Sequence, residues 1–155
     1  AKIESVSLDK KEISLLDKEI IMFCFSTDIK IRLLIKKYLN NDWIQSDSIK
    51  NIYNEIYMHL SSEKTVAPEI VMNELKNEQE RNLMAELLIN QSNINSNIII
   101  DCLIRMEKNY IQIELNQLRE QLKIHKNDKN INTVLDKINE LQKQKNNLKT
   151  KYTDA

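Results

Sequence analysis

The chain contains no glycine and only one proline, Pro68. Tight hairpin turns and left-handed helix ends normally call on glycine, because residues with a Cβ pay for a positive φ. A chain without it is poorly equipped for a strand-rich fold, and an all-helical reading follows. Helix ends then fall to asparagine, the next residue in tolerance of the left-handed conformation. Asn40-Asn41, Asn90 and Asn127 lie where such ends are expected. The same absence excludes the glycine-rich phosphate loop, the dinucleotide fingerprint and the glycine-flanked nucleophile elbow.

The 155 residues allow one ordinary core, or a core with an appendage. Lys+Arg and Asp+Glu both number 23, so no global charge draws the chain to nucleic acid or membrane. Residues 1–95 carry 12 basic and 15 acidic side chains, and residues 96–155 carry 11 and 8, an asymmetry typical of solvated surfaces. Cys24 and Cys102 stand alone in apolar surroundings and read as buried, reduced thiols of a cytoplasmic protein. No charged-then-apolar leader opens the chain, and the longest apolar run, Ile20 to Phe25, is far too short to span a bilayer. A start at Ala1 instead of Met suggests a processed protein or a fragment of a longer one.

Apolar spacing sets out the helices. The first is expected from Ser7 or Asp9 to Phe25, with Ile13, Leu16, Ile20, Phe23 and Cys24 buried and burial nearly all round at its end. Ser26-Thr27-Asp28 is a stop and a cap for a second helix through Ile31, Leu34, Ile35, Tyr38 and Leu39. The link NNDWIQSD places Trp43 and Ile44 between helices. A third helix capped by Ser46 or Asp47 carries Ile49, Ile52, Tyr53, Ile56, Tyr57 and Leu60 at helical spacing. Pro68 fits the first turn of a short fourth helix ending near Lys76, and NEQERNLMAELLIN begins a fifth. NQSNINSN is a loop.

The next helix, from about Ser96 to about Lys126, would be roughly 46 Å long against a domain about 30 Å across, so it has to project. Its first half, with Ile98, Ile99, Ile100, Cys102, Leu103, Ile104 and Met106, is apolar on several sides and suits a core. Its second half narrows to Ile111, Leu115, Leu118 and Leu122, the stripe of a two-helix contact. HKNDKN interrupts the pattern. Ile131, Val134, Ile138, Leu141 and Leu148 resume it, with Lys145 at the missing position. Two such stripes joined by a polar turn make an antiparallel helical hairpin. The expected architecture is therefore a multi-helix bundle over residues 1–108, including the first part of the long helix, and a helical hairpin over 109–155.

Chemistry is hard to find. His59 and His125 lack partners at ligand spacing, and Glu78 and Glu80 read as solvated, so no catalytic, cofactor-binding or metal-ligating residue is assigned. Trp43, Tyr53 and Tyr57 read as core packing instead of base stacking. An interaction surface remains: a two-helix arm buries one narrow stripe against itself and leaves Ile113, Ile124, Leu135 and Tyr152 uncovered.

Two stretches carry a family resemblance. One is LLDKEIIMFCF followed by LLIKKYLNNDWIQSDSIKNIYNEIY, with an acidic-aromatic pair at Asp42-Trp43. The other runs from IIIDCLIRMEKNY to the closing NELQKQKNNLK, with Asp101-Cys102-Leu103 opening a long helix and Leu118-Arg119-x-x-Leu122 within it. In this order they resemble the C-terminal, helicase-binding domain of bacterial DNA primase. The resemblance implies a non-catalytic bundle followed by a hairpin that docks on the N-terminal domains of the hexameric replicative helicase, coupling priming to unwinding. No direct nucleic-acid or membrane contact is implied, and primer synthesis would belong to other domains. Carried onto this sequence, docking falls on Leu122, Ile124, Ile131, Val134, Leu135, Ile138, Leu141, Lys145 and Leu148. The alternatives are the collar domain at the N-terminus of a replicative helicase, or a structural coiled-coil tether.

Overall fold

The computed structural model describes residues 13–61, 64–89, 96–124 and 130–153. Among them the chain is all-α, with eight α-helices, one 3₁₀ turn and no strand. The helices are α1 (Leu15–Cys24), α2 (Ile29–Tyr38), α3 (Asp47–Tyr57), α4 (Pro68–Glu74), α5 (Glu78–Ile89), α6 (Ser96–Ile124), α7 (Ile131–Asn146) and α8 (Leu148–Thr153), with the 3₁₀ turn at Asn41–Trp43.

Side chains start these helices where the sequence places polar caps. Ser14 accepts from the Leu16 amide, Asp28 from that of Lys30 at 2.9 Å, and Ser46 from that of Ile49. Each satisfies a donor that the first helical turn leaves unpaired. Pro68 occupies the first turn of α4, as expected. The first helix differs from expectation at its start: Ser14 caps it, so Ile13 precedes the helix, while Ser7 and Asp9 lie outside the described residues.

Helix ends also differ. No described residue has a positive φ, so no asparagine among the described residues supplies a left-handed cap. Leu39 and Leu75 instead carry the chain out of α2 and α4 in extended backbone. Asn40 is extended as well, and its side chain caps the 3₁₀ turn by accepting from the Asp42 amide at 2.9 Å. An extended exit serves because the next element starts within a few residues and the chain need not reverse at the cap. Asn90 and Asn127 lie outside the described residues.

One main core joins α1 through α5 to the first half of α6. The Ile20–Phe25 run is buried except at Met22, which is half-buried, so the all-round burial expected there is present. Ile31, Ile35, Ile49, Ile52 and Ile56 fill the core from α2 and α3, with Trp43 and Ile44 beside them. α6 completes the core with Ile99, Cys102, Leu103 and Met106. Its 29 residues form one continuous helix roughly 43 Å long.

Buried carboxylates tie distant elements together. Asp17 of α1 accepts from the amides of Gln45 and Ser46, both at 3.1 Å, just ahead of α3. Glu80 is buried and accepts from Asn51 Nδ2 at 3.0 Å, so it links α5 to α3 and is not the solvated group that its charge-rich segment suggests. The reason is tertiary, since α5 packs against α3 and turns this side chain inward.

Burial raises the Asp17 pKa above the ordinary carboxylate value, against the lowering effect of the two amides and Lys50. A raised folded-state pKa favours the fold most at pH below the unfolded value, and that contribution fades as pH rises through the folded one. Asp17→Ala, which strands two amide donors, should cost about 1–3 kcal/mol in urea unfolding at neutral pH. Asp17→Asn keeps an acceptor and sheds the charge, so its stability relative to the parent should improve as pH is raised from about 3 to 7.

Candidate partner-docking arm

The second half of α6 leaves the bundle and α7 packs back along it. Ile111 and Leu115 of α6 are buried with Leu148 in a second, small cluster, joined by the half-buried Ile104, Ile138 and Leu141. Lys145, the one polar interruption of the α7 stripe, is half-buried and donates to Gln112 Oε1 at 2.6 Å. Its aliphatic stem can lie along the seam while the ammonium reaches a neutral acceptor on α6.

The arm is thin. α7 has 16 residues and not one fully buried side chain. Leu122, Ile131 and Val134 are half-buried like Ile138 and Leu141, so these residues of the expected docking set form the inner stripe. Ile124 and Leu135 are exposed, at 74% and 42%, as is Ile113. Leu148 faces inward at 3% exposure, out of reach of a partner while the seam is closed. The expected set thus divides into two outward anchors, an inner stripe with Lys145, and one buried root. His125 lies outside the described residues.

A groove of about 370 Å³ follows one side of the seam, lined by Glu114, Gln117, Leu118 and Gln121 of α6 and by Lys137, Glu140, Leu141 and Gln144 of α7. Its charges are mixed, and Leu118 and Leu141 give its lining an apolar share as well, so it suits a partner segment that offers both polar and apolar contacts beside an apolar anchor.

Where the arm meets the bundle, Glu107 is buried and forms a clasp. Its carboxylate accepts from Lys151 Nζ at 2.9 and 3.0 Å and from the Tyr152 hydroxyl at 2.8 Å. The Lys151 ammonium also stands 5.7 Å from the centre of the Trp43 ring, and the Tyr152 ring lies 4.7 Å from that of Tyr38. Burial first, and then the bond to Glu107, push the Tyr152 hydroxyl well above the ordinary phenol pKa. Tyr152 is therefore buried in the main core, not uncovered as the sequence suggests. The signal was present in the spacing. Glu107 continues the α6 stripe four residues before Ile111, and Tyr152 continues the other stripe four residues after Leu148.

The remaining candidates for chemistry are occupied structurally. Cys24 and Cys102 are free and buried, as expected. Burial pushes the Cys102 thiol up to about 12 and Cys24 higher still, so neither is a nucleophile at neutral pH. Trp43 and Tyr53 pack in the core, whereas Tyr57 is partly exposed with the Lys36 ammonium 5.3 Å from its ring centre. His59 Nε2 lies 3.7 Å from Glu74 on the surface. Among the described residues no group of three or more His, Cys, Asp or Glu is placed to hold a metal ion, and no helix is long and apolar enough to cross a membrane.

No protein family model matches the chain, and neither the curated proteins nor the solved structures yield a significant match.

The small cluster has little redundancy. Leu115→Ala should cost about 2–5 kcal/mol locally. It should open the arm first, so that limited trypsin digestion cuts after Lys137 and Lys143 while the segment from α1 to α5 stays intact.

Proposed function

We propose that the chain is a non-catalytic protein-interaction domain that presents the α6–α7 arm to a partner, and that the partner is the hexameric replicative DNA helicase. The observation carrying the first part is the composition of the arm: a helix with no fully buried side chain, held along a projecting helix, with Ile124 and Leu135 exposed. So thin a helix pair has little stability of its own, and a partner surface that covers its outer apolar groups lowers the free energy of both. The second part rests on the primase resemblance in the two stretches quoted above. On that reading the chain is the helicase-binding domain of a cytoplasmic bacterial primase, and it keeps primer synthesis, carried by other domains, next to the unwinding fork.

Affinity on this reading comes from a few apolar anchors with polar groove contacts around them. Leu135→Asp and Ile124→Asp change exposed positions, so the fold should keep its helical circular dichroism. In calorimetric titration of the intact chain against the replicative helicase of the same organism, each should weaken binding about tenfold or more. Raising salt from about 0.1 to 0.3 M should change the affinity little, because apolar contacts are not screened. No saturable binding by the folded, intact chain would overturn the helicase assignment. Concentration-dependent self-association in sedimentation would then favour a collar or a tether.

A further inference from the structure

α8 does for the arm what no part of α7 does. Among the described residues, Tyr152 is the one buried member of the main core that comes from beyond Met106. Apart from the bond of Lys145 to Gln112, α7 contributes only half-buried apolar side chains to the seam, and the buried side chains that root its lower end belong to the six residues of α8. Between the two helices the backbone breaks at Asn147, with φ −100° and ψ 8°. There the Asn147 amide bonds back to the carbonyls of Lys143 and Gln144, while its own carbonyl accepts from the Lys151 amide. One residue therefore separates a helix that is loosely seated from one that is anchored by Leu148 and Tyr152.

The anchor is polar at its centre. Two donors of α8, the Lys151 ammonium and the Tyr152 hydroxyl, converge on one buried carboxylate of α6. Charge-assisted bonds of this kind are stronger than neutral ones, and losing a donor leaves the carboxylate short of partners in a place that water reaches poorly. Apolar contacts of the seam fall off gradually as α7 shifts. The clasp depends instead on short, directional bonds that a small displacement breaks, which gives the arm a defined point of release.

We infer that α8 is a latch: closed on Glu107, it holds the inner stripe of Val134, Ile138 and Leu141 against α6, and open, it frees that stripe for a partner. The inference rests on the reading of the arm as a docking element and adds its regulation. The outward Ile124 and Leu135 stay available in either state, so it is the engagement of the inner stripe that depends on how often the latch opens, and the apparent affinity of a partner that takes the open arm is reduced by the closed fraction.

Hydrogen exchange followed by mass spectrometry on the intact chain tests the latch without any partner. Tyr152→Phe keeps the ring in the core beside Tyr38 and removes only the hydroxyl, so it should fold. Glu107→Ala removes the acceptor and retains a strong helix former in α6. Both should speed exchange over residues 131–146 about tenfold or more, while protection in α1–α3 stays as in the parent. Unchanged exchange over 131–146 in both variants would overturn the latch. Equal acceleration throughout the bundle would overturn it too, since Tyr152 would then be an ordinary core residue. Titrated against the helicase, Tyr152→Phe should bind more tightly than the parent by a factor similar to its gain in exchange. Equal or weaker binding would overturn the gating, whereas failure of both chains to bind would overturn the functional reading and leave the exchange result to decide the latch.

Discussion

The burial of one carboxylate, Glu107, sets the geometry of the C-terminal third of the molecule. It sits on the long helix at the point where the core ends and the arm begins, and it is nearly closed to solvent. A buried carboxylate is tolerated only when its oxygens have donors. Here the donors come from the last described helix of the chain, so satisfying Glu107 draws α8 onto the bundle and α7 along with it. The aromatic surroundings reinforce the placement: Trp43 faces the Lys151 ammonium, and Tyr38 packs against Tyr152. The arm is thus a projection tied down at its root.

Asp17 and Glu80 repeat the device on a smaller scale. Each leaves its own helix to satisfy donors on another element, the Gln45 and Ser46 amides in one case and Asn51 in the other. Such bonds are directional, whereas the isoleucine-rich packing around them is not. In a core built so largely from one residue type, they discriminate between registers that hydrophobic contact alone would leave close in energy. Arg32, fully buried on α2, acts similarly by donating to the Ser26 carbonyl at 2.7 Å, which fixes the turn between α1 and α2.

Local signals were read from the sequence most successfully where the physics is local. The caps at Asp28 and Ser46, Pro68 in the first turn of α4, and the stripe of Ile49, Ile52, Tyr53 and Ile56 on α3 needed only spacing and side-chain chemistry, whereas Tyr57 of the expected stripe is exposed and Leu60 lies beyond the helix end. The narrowing of the long helix after Met106 was visible as well, because fewer apolar positions per turn mean fewer neighbours to cover them. Glu80 and Tyr152 depart from the local pattern for one reason: a charged or amphipathic side chain is buried only when a distant element brings its partner, and no local pattern records that. The left-handed end expected at Asn40-Asn41 is absent for a different reason, since the rule that helices need such a cap yields where the chain can leave in extended backbone.

What the sequence determined by itself is the helical character of the chain and the contrast between a broad apolar face and a narrow one. Lack of glycine restricts the turns, and periodicity fixes which face of each helix seeks cover. Only the tertiary structure decided where the narrow face ends and what holds it. The spacing of Glu107 and Tyr152 extends the two seams to one level, but whether a carboxylate and a phenol at that level meet or face water depends on the position of a third party, the Tyr38 and Trp43 wall of the bundle. Helix periodicity specifies directions around an axis. The distances between axes, which decide the fate of buried polar groups, follow from packing of the whole.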